Sequence, residues 1–128
     1  MTDPPQRLQA SEFAVAAAIA VMPFGVYLST MYPGLNGVGD AAKFAFVGKI
    51  LGTPHAPGYP LYILLSHLCS YVPWGTLAYR MNALSALMGA VTVAIAYLLM
   101  RRLGVSRMSA IAAALALGFG DAFWSRSQ

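Results

Sequence analysis

Apolar positions dominate this chain in three long runs. Between the first and the second lies a stretch of mixed character. From Phe13 to Met31 nearly every residue is apolar. At 1.5 Å per residue such a helix is roughly 28 Å long, enough for a hydrocarbon core of about 30 Å. Pro23 and Gly25 predict a kink in its outer half. A cleaved signal peptide is the rival reading. It is the weaker one, because two acids and one arginine precede the run and no A-x-A site follows it. Met81–Met100 forms the second run, with Asn82, Ser85, Gly89 and Thr92 as a small, polar seam suited to close helix packing. The third extends from Met108 to about residue 124, with Ala112, Ala116 and Gly120 as a further small-residue seam.

The mixed stretch, Gly39 to Tyr62, has its own periodicity. Phe44, Val47, Ile50 and Leu51 share one helical face, and Lys43 and Lys49 point elsewhere. The helix is expected to stop near Gly52, since Pro54, Pro57, Gly58 and Pro60 cannot continue it. Pro60 suits the first position of a new helix reaching about Val72, too short to span a membrane. Along that helix Tyr59, Tyr62, Ser66 and Ser70 form a polar stripe, and Leu61, Leu64, Leu65 and Leu68 an opposing apolar one. A helix lying in the membrane interface, or dipping in and packed on protein, has that pattern. Tyr71, Trp74 and Tyr79 follow it, as aromatic residues do at headgroup depth.

Composition agrees with the pattern. Hydrophobic residues make up 59% of the 128 and charged residues 9%, against about 25% charged in soluble domains. Mean hydropathy is +0.64. The expected fold is therefore all-α: a polytopic membrane protein with three transmembrane helices (about 13–31, 81–100 and 108–124). Residues 1–12 form a cytoplasmic arm, and an outer loop, 32–80, carries two short interfacial helices. The net charge of +4 would suggest nucleic acid in a soluble chain. Here it reads as basic loops that set topology, and no nucleic-acid partner is expected. Arg101, Arg102 and Arg107 crowd one short loop. That density marks the loop as cytoplasmic and places the amino terminus inside, although Lys43, Lys49, Arg80 and Arg126 then lie outside. The single cysteine, Cys69, excludes an internal disulfide, and no Cys/His spacing suggests zinc.

Three segments carry a resemblance. They are Asp40-Ala41-Ala42-Lys43, His55-Ala56-Pro57-Gly58-Tyr59-Pro60-Leu61-Tyr62, and Arg80-Met81-Asn82-Ala83-Leu84-Ser85-Ala86-Leu87. Together they resemble the amino-terminal part of the transmembrane-protein-260-like protein O-mannosyltransferases, polytopic membrane glycosyltransferases of the GT-C type. The match covers residues 12 to 128 and only the first part of the family's usual length. Its acidic motif departs from the pattern: Lys43 stands where a glutamate is usual, and Ala41 and Ala42 replace Ser and Gly.

The resemblance implies a partial GT-C fold in a bacterial or archaeal cytoplasmic membrane. A sugar would pass from a polyprenyl-phosphate donor to the hydroxyl of an acceptor protein or glycan outside the membrane, with membrane lipid as surroundings. It points to Asp40 as the carboxylate that accepts the acceptor's proton or helps hold a divalent metal. The residue pattern alone favours Asp40 as the cap of the helix beginning at Ala41, and one residue can play both parts. Lys43 either pairs with Asp40 or offers a point charge to a lipid phosphate. Arg80 suits the same phosphate, or anchors the chain at the interface beside Trp74 and Tyr79. His55 and Tyr59 either bind phosphate or sugar hydroxyls or brace the proline turn by hydrogen bonds. His67, inside an apolar helix, reads as a packed, hydrogen-bonded residue. Asp121 and Arg126 read as interfacial. No cofactor is firmly implied. The chain alone is expected to be inactive, because such a site needs walls from later spans. The alternative is a non-catalytic small membrane protein or degenerate relative that packs against partners.

Overall fold

A computed structural model describes residues 8–31, 34, 41–56 and 58–120. Among them the only regular elements are helices: α1 (Ala10–Thr30), α2 (Ala41–Val47), α3 (Pro60–Ser70), α4 (Leu77–Arg102) and α5 (Arg107–Phe119). Two of these, α1 with 21 residues and α4 with 26, are long and apolar enough to cross a membrane. The third expected span appears as the 13 residues of α5, about 20 Å of helix. Residues 121–124 of that expectation, like Asp121 and Arg126, lie outside the described residues.

The chain divides into two compact units. Of the described residues, the first takes 8–29 and 86–120. Its core is Ala16 and Ile19 of α1, Val93 and Tyr97 of α4, and Ala110 and Ala114 of α5. The buried stripe of α5 is Ala110, Ala114 and Gly118. Of the seam expected from sequence, Ala112 and Ala116 are exposed and Gly120 is half-buried. A shift of two positions turns a helix by about 200°, and in a helix so rich in alanine composition cannot choose between the two faces. Close approach fixes the choice. A Cβ on Gly118 would stand 3.1 Å from a Val93 methyl and 3.6 Å from the Tyr27 hydroxyl. That hydroxyl, fully buried, donates to the Gly118 carbonyl, one of the last four of α5 and so without a partner inside the helix.

At the other end of this unit α1 begins at Ala10, so three residues of the expected arm are helical. The cause is Glu12, which is buried. Tyr97 Oη donates to its Oε2. Arg101 Nε reaches the same oxygen at 3.2 Å, Arg101 Nη2 reaches Oε1 at 3.3 Å, and Arg107 Nη2 reaches Oε1 at 3.2 Å. Arg101 also donates through Nη1 to the Val105 carbonyl at 2.5 Å, which closes the α4–α5 turn around Gly104. Two of the three loop arginines therefore serve a carboxylate on α1. Glu12→Ala leaves both guanidinium groups facing each other without an anion, so the thermal unfolding midpoint in detergent should fall clearly. The loss should shrink in an Arg101→Met background, and equal losses in both backgrounds would show that the two side chains are not coupled.

The second unit runs from Thr30 to Ser85. Helix α2 ends at Val47, and the chain continues through turns to Leu51, whose φ is +50°. Because the helix ends there, Val47 is buried while Ile50 and Leu51, expected on the same face, are exposed. Gly48 is where the chain touches α3. An added Cβ would stand 2.2 Å from Ser66 Cβ, and the Gly48 carbonyl accepts from His67 Nδ1 at 3.0 Å. With Nδ1 carrying the proton, His67 Nε2 accepts from the Tyr71 hydroxyl at 3.2 Å. His67 is thus packed and hydrogen-bonded, as its apolar setting suggested.

Helix α3 is turned inside out by the standards of a water-soluble helix. Ile63 and Ser66 are its buried residues, whereas Leu61, Leu64 and Leu68 are exposed at 71%, 58% and 66%. Ser66 of the polar stripe is buried and Tyr62 and Ser70 are half-buried, while three of the four leucines face outward, an arrangement suited to apolar surroundings. The corner after α3 is closed by Arg80 of α4 and by Thr76, whose Oγ1 accepts from the Tyr79 amide at 3.2 Å.

Candidate functional site

The turn between α2 and α3 gathers four rings. Phe44 is the hub, with its centroid 5.9 Å from His55, 5.7 Å from Tyr59 and 5.5 Å from Tyr62. His55 and Tyr59 meet at 5.5 Å. All four pairs are edge-to-face, with interplanar angles from 76° to 87°. Such pairs contribute about 0.5–1.5 kcal/mol each beyond the area they bury. Phe44 and Tyr62 are half-buried, and His55 and Tyr59 form the exposed side.

The proline turn sets this geometry. Tyr59 precedes Pro60, the first residue of α3, and has φ 49° and ψ 53°. A left-handed backbone costs a residue with a Cβ roughly 1–2 kcal/mol. His55 Nδ1 lies 3.3 Å from the Ala56 carbonyl, which can only accept. Burial pushes the Tyr62 phenol above its usual pKa, and nearby Ser66 and Ser85 hydroxyls offset part of the rise. Tyr62 therefore stays protonated at neutral pH. Ser66 Oγ itself makes no hydrogen bond of normal length among the described residues. Beside the rings, Leu51, Gly52, Thr53, Gly58, Pro60, Ile63 and Leu64 line a mostly apolar groove of about 400 Å³.

Of the residues singled out from sequence, His55 and Tyr59 come together. Lys43 precedes Phe44 on α2 and has an exposed side chain. Arg80 is held at the far end of α3 from Tyr59. Its Nη1 donates to the Ser70 carbonyl at 2.5 Å and the Val72 carbonyl at 2.6 Å, and its Nε donates to Thr76 at 3.3 Å. An 11-residue helix, about 16 Å, separates the two positions. Arg80 thus caps α3 with a cation at its negative end. Asp40 lies outside the described residues. Among the described residues no three His, Cys, Asp or Glu side chains converge as a metal site would require. By sequence pattern Phe44 belongs to an apolar helical face and Tyr62 to a polar stripe, so neither reads as a site residue. The signal available was the aromatic residue four positions after Asp40 and the second tyrosine of the Tyr-Pro-Leu-Tyr run.

Among the described residues the regular elements are all helices, two of them of membrane-spanning length, with an aromatic, proline-braced turn between those two in sequence. Residues 40–128 match the family model described as the protein O-mannosyl-transferase TMEM260 N-terminal domain. The mouse protein O-mannosyl-transferase TMEM260 is 36% identical over 115 residues, 89% of this chain and 16% of the mouse protein. Its Dictyostelium discoideum namesake is 34% identical over 76 residues, 57% of this chain and 9% of that protein. No solved structure gives a significant match. The chain belongs to the TMEM260-like protein O-mannosyltransferase family, in its amino-terminal part.

Proposed function

We propose that this chain forms the entrance side of a membrane glycosyltransferase that moves a mannosyl group from a polyprenyl-phosphate donor to a hydroxyl of an acceptor protein. The carrying observation is the family match from residue 40 onward, joined to relatives named for O-mannosyl transfer. Two helices of span length and the outward-facing leucines of α3 support a membrane setting. In this reading α1, α4 and the chain from α5 onward cross the cytoplasmic membrane. The amino terminus is inside, and residues 32–80 are outside.

The reaction is an inverting displacement. The acceptor oxygen attacks the sugar C1, the C1–O bond to the lipid phosphate breaks, and the Asp40 carboxylate takes the acceptor's proton. Lys43 offers a point charge to the departing phosphate, and Arg80, engaged on carbonyls, adds long-range positive potential. The groove beside the turn has the apolar walls that the first isoprene units require. No step is assigned to a metal.

Side-specific labelling tests the placement. With Cys69 replaced by serine and a cysteine at position 40, a membrane-impermeant maleimide should label intact cells from outside. Labelling only after the cytoplasmic face is opened would reverse the topology and remove Asp40 from the chemistry.

A further inference from the structure

We infer that the exposed wall formed by His55 and Tyr59, backed by Phe44, is the seat of the transferred hexose ring. The inference rests on the glycosyltransferase reading and gives the same turn a definite ligand. Three observations carry it. The first is composition: three rings in mutual edge-to-face contact, with centroids 5.5–5.9 Å apart, sit at one turn. The cluster is nonetheless open, since Tyr59 is 43% exposed while touching both of the others.

The second is backbone strain. Tyr59 holds a left-handed φ of 49° directly before Pro60, a position where glycine or asparagine would be less strained. A strained tyrosine kept at an exposed turn implies that its ring is wanted there more than an unstrained backbone. The third is charge. Aromatic faces hold either a cation or the C–H face of a neutral ring. The charged residues of the segment 41–62 are Lys43 and Lys49, so no side chain of that segment offers a cation a counter-charge, and the negative ring faces disfavour a bare phosphate. A hexose meets both conditions: it is uncharged, presents an apolar C–H face to the rings, and offers hydroxyls to the Tyr59 phenol and the imidazole.

The test reads binding directly, so it does not depend on transfer or on Asp40. The chain in nanodiscs is mixed with methyl α-D-mannopyranoside, and saturation-transfer difference NMR follows magnetisation passing from the protein's aromatic protons to the sugar. Wild type and Tyr59→Phe should saturate the sugar ring protons. Phe44→Ala and Tyr59→Gly should lose most of that signal. Tyr59→Gly relieves the left-handed penalty but also gives up the ring contacts with Phe44 and His55, so its helical circular dichroism at the NMR temperature, expected to match wild type, separates loss of the ring from loss of the fold. No saturation in wild type, or equal saturation in Tyr59→Gly, overturns the inference. A saturating wild type combined with undiminished transfer by Asp40→Asn in the longer, transfer-competent protein would instead sink the catalytic assignment and leave the sugar seat standing.

Discussion

Replacing Asp40 with asparagine in the transfer-competent protein is expected to remove sugar transfer and to leave membrane insertion normal. The substitution separates the two roles open to this residue. Asparagine caps a helix about as well as aspartate, so α2 keeps its start. An amide cannot take a proton from an attacking hydroxyl, so the general-base contribution disappears, typically a factor of about 10² to 10⁴ in rate. In the transfer-competent protein kcat should drop by that order with little change in donor KM. Asp40→Ser, which also caps, should be equally inactive. If either variant transferred sugar at the wild-type rate, Asp40 would be a cap and nothing more.

Gly48→Ala is the second large effect, and it acts on the fold. A methyl at position 48 would fall 2.2 Å from Ser66 Cβ, 3.1 Å from the Ser66 carbonyl carbon and 3.2 Å from the His67 nitrogen. Two of those neighbours are backbone, so no flexible side chain can swing aside. Helix α3 must move off the chain after α2, and the His67–Gly48 hydrogen bond stretches with it. The expected cost is at the upper end of the roughly 1–3 kcal/mol typical of overpacking, with about 1 kcal/mol more for the hydrogen bond. The rings would then separate, because Phe44 lies on α2 while Tyr59 and Tyr62 are tied to α3. Gly25→Ala is the matched control. It lies inside α1 with nothing within 4 Å of an added Cβ, so alanine should be neutral or slightly stabilising. Thermal unfolding of both variants in detergent checks this, and a Gly48→Ala midpoint equal to wild type would refute the close approach.

Elements bounded by composition were legible beforehand, and their faces were not. The two long helices, the break between α2 and α3, and Pro60 as the first residue of α3 were all readable from hydrophobic runs and proline placement. The outward or inward sense of a stripe was harder. On α3 the split into tyrosine-serine and leucine stripes was visible, yet only packing shows that Ser66 is the buried side. On α5 the alanines are spaced so evenly that two seams fit equally well. Glu12 was hidden for another reason. A glutamate before an apolar run reads as solvated, and its partners Tyr97, Arg101 and Arg107 are 85 or more positions away. The same pairing qualifies the topology argument. The arginine density that marked the loop as cytoplasmic is partly matched by a carboxylate that sequence counting placed in an arm.

The candidate site divides along the same line. The His-x-Pro-Gly-Tyr-Pro run and the family resemblance flagged His55 and Tyr59, and the two do meet. Grouping Arg80 with them was a matter of residue type, and its donors close the end of α3 instead. Phe44 gave no chemical signal of its own, because a phenylalanine on a hydrophobic helical face looks like core.

The sequence by itself determined the helices, the turn and the family, because hydrophobic period, proline geometry and a contiguous motif are local properties of a chain. Only the tertiary structure decided which side of each helix is inside, where Glu12 finds its cations, and that Phe44 backs an exposed ring wall. Those outcomes depend on contacts between distant residues and on close approaches at Gly48 and Gly118, where an added Cβ would stand 2.2 Å and 3.1 Å from its nearest neighbour, which no local pattern encodes.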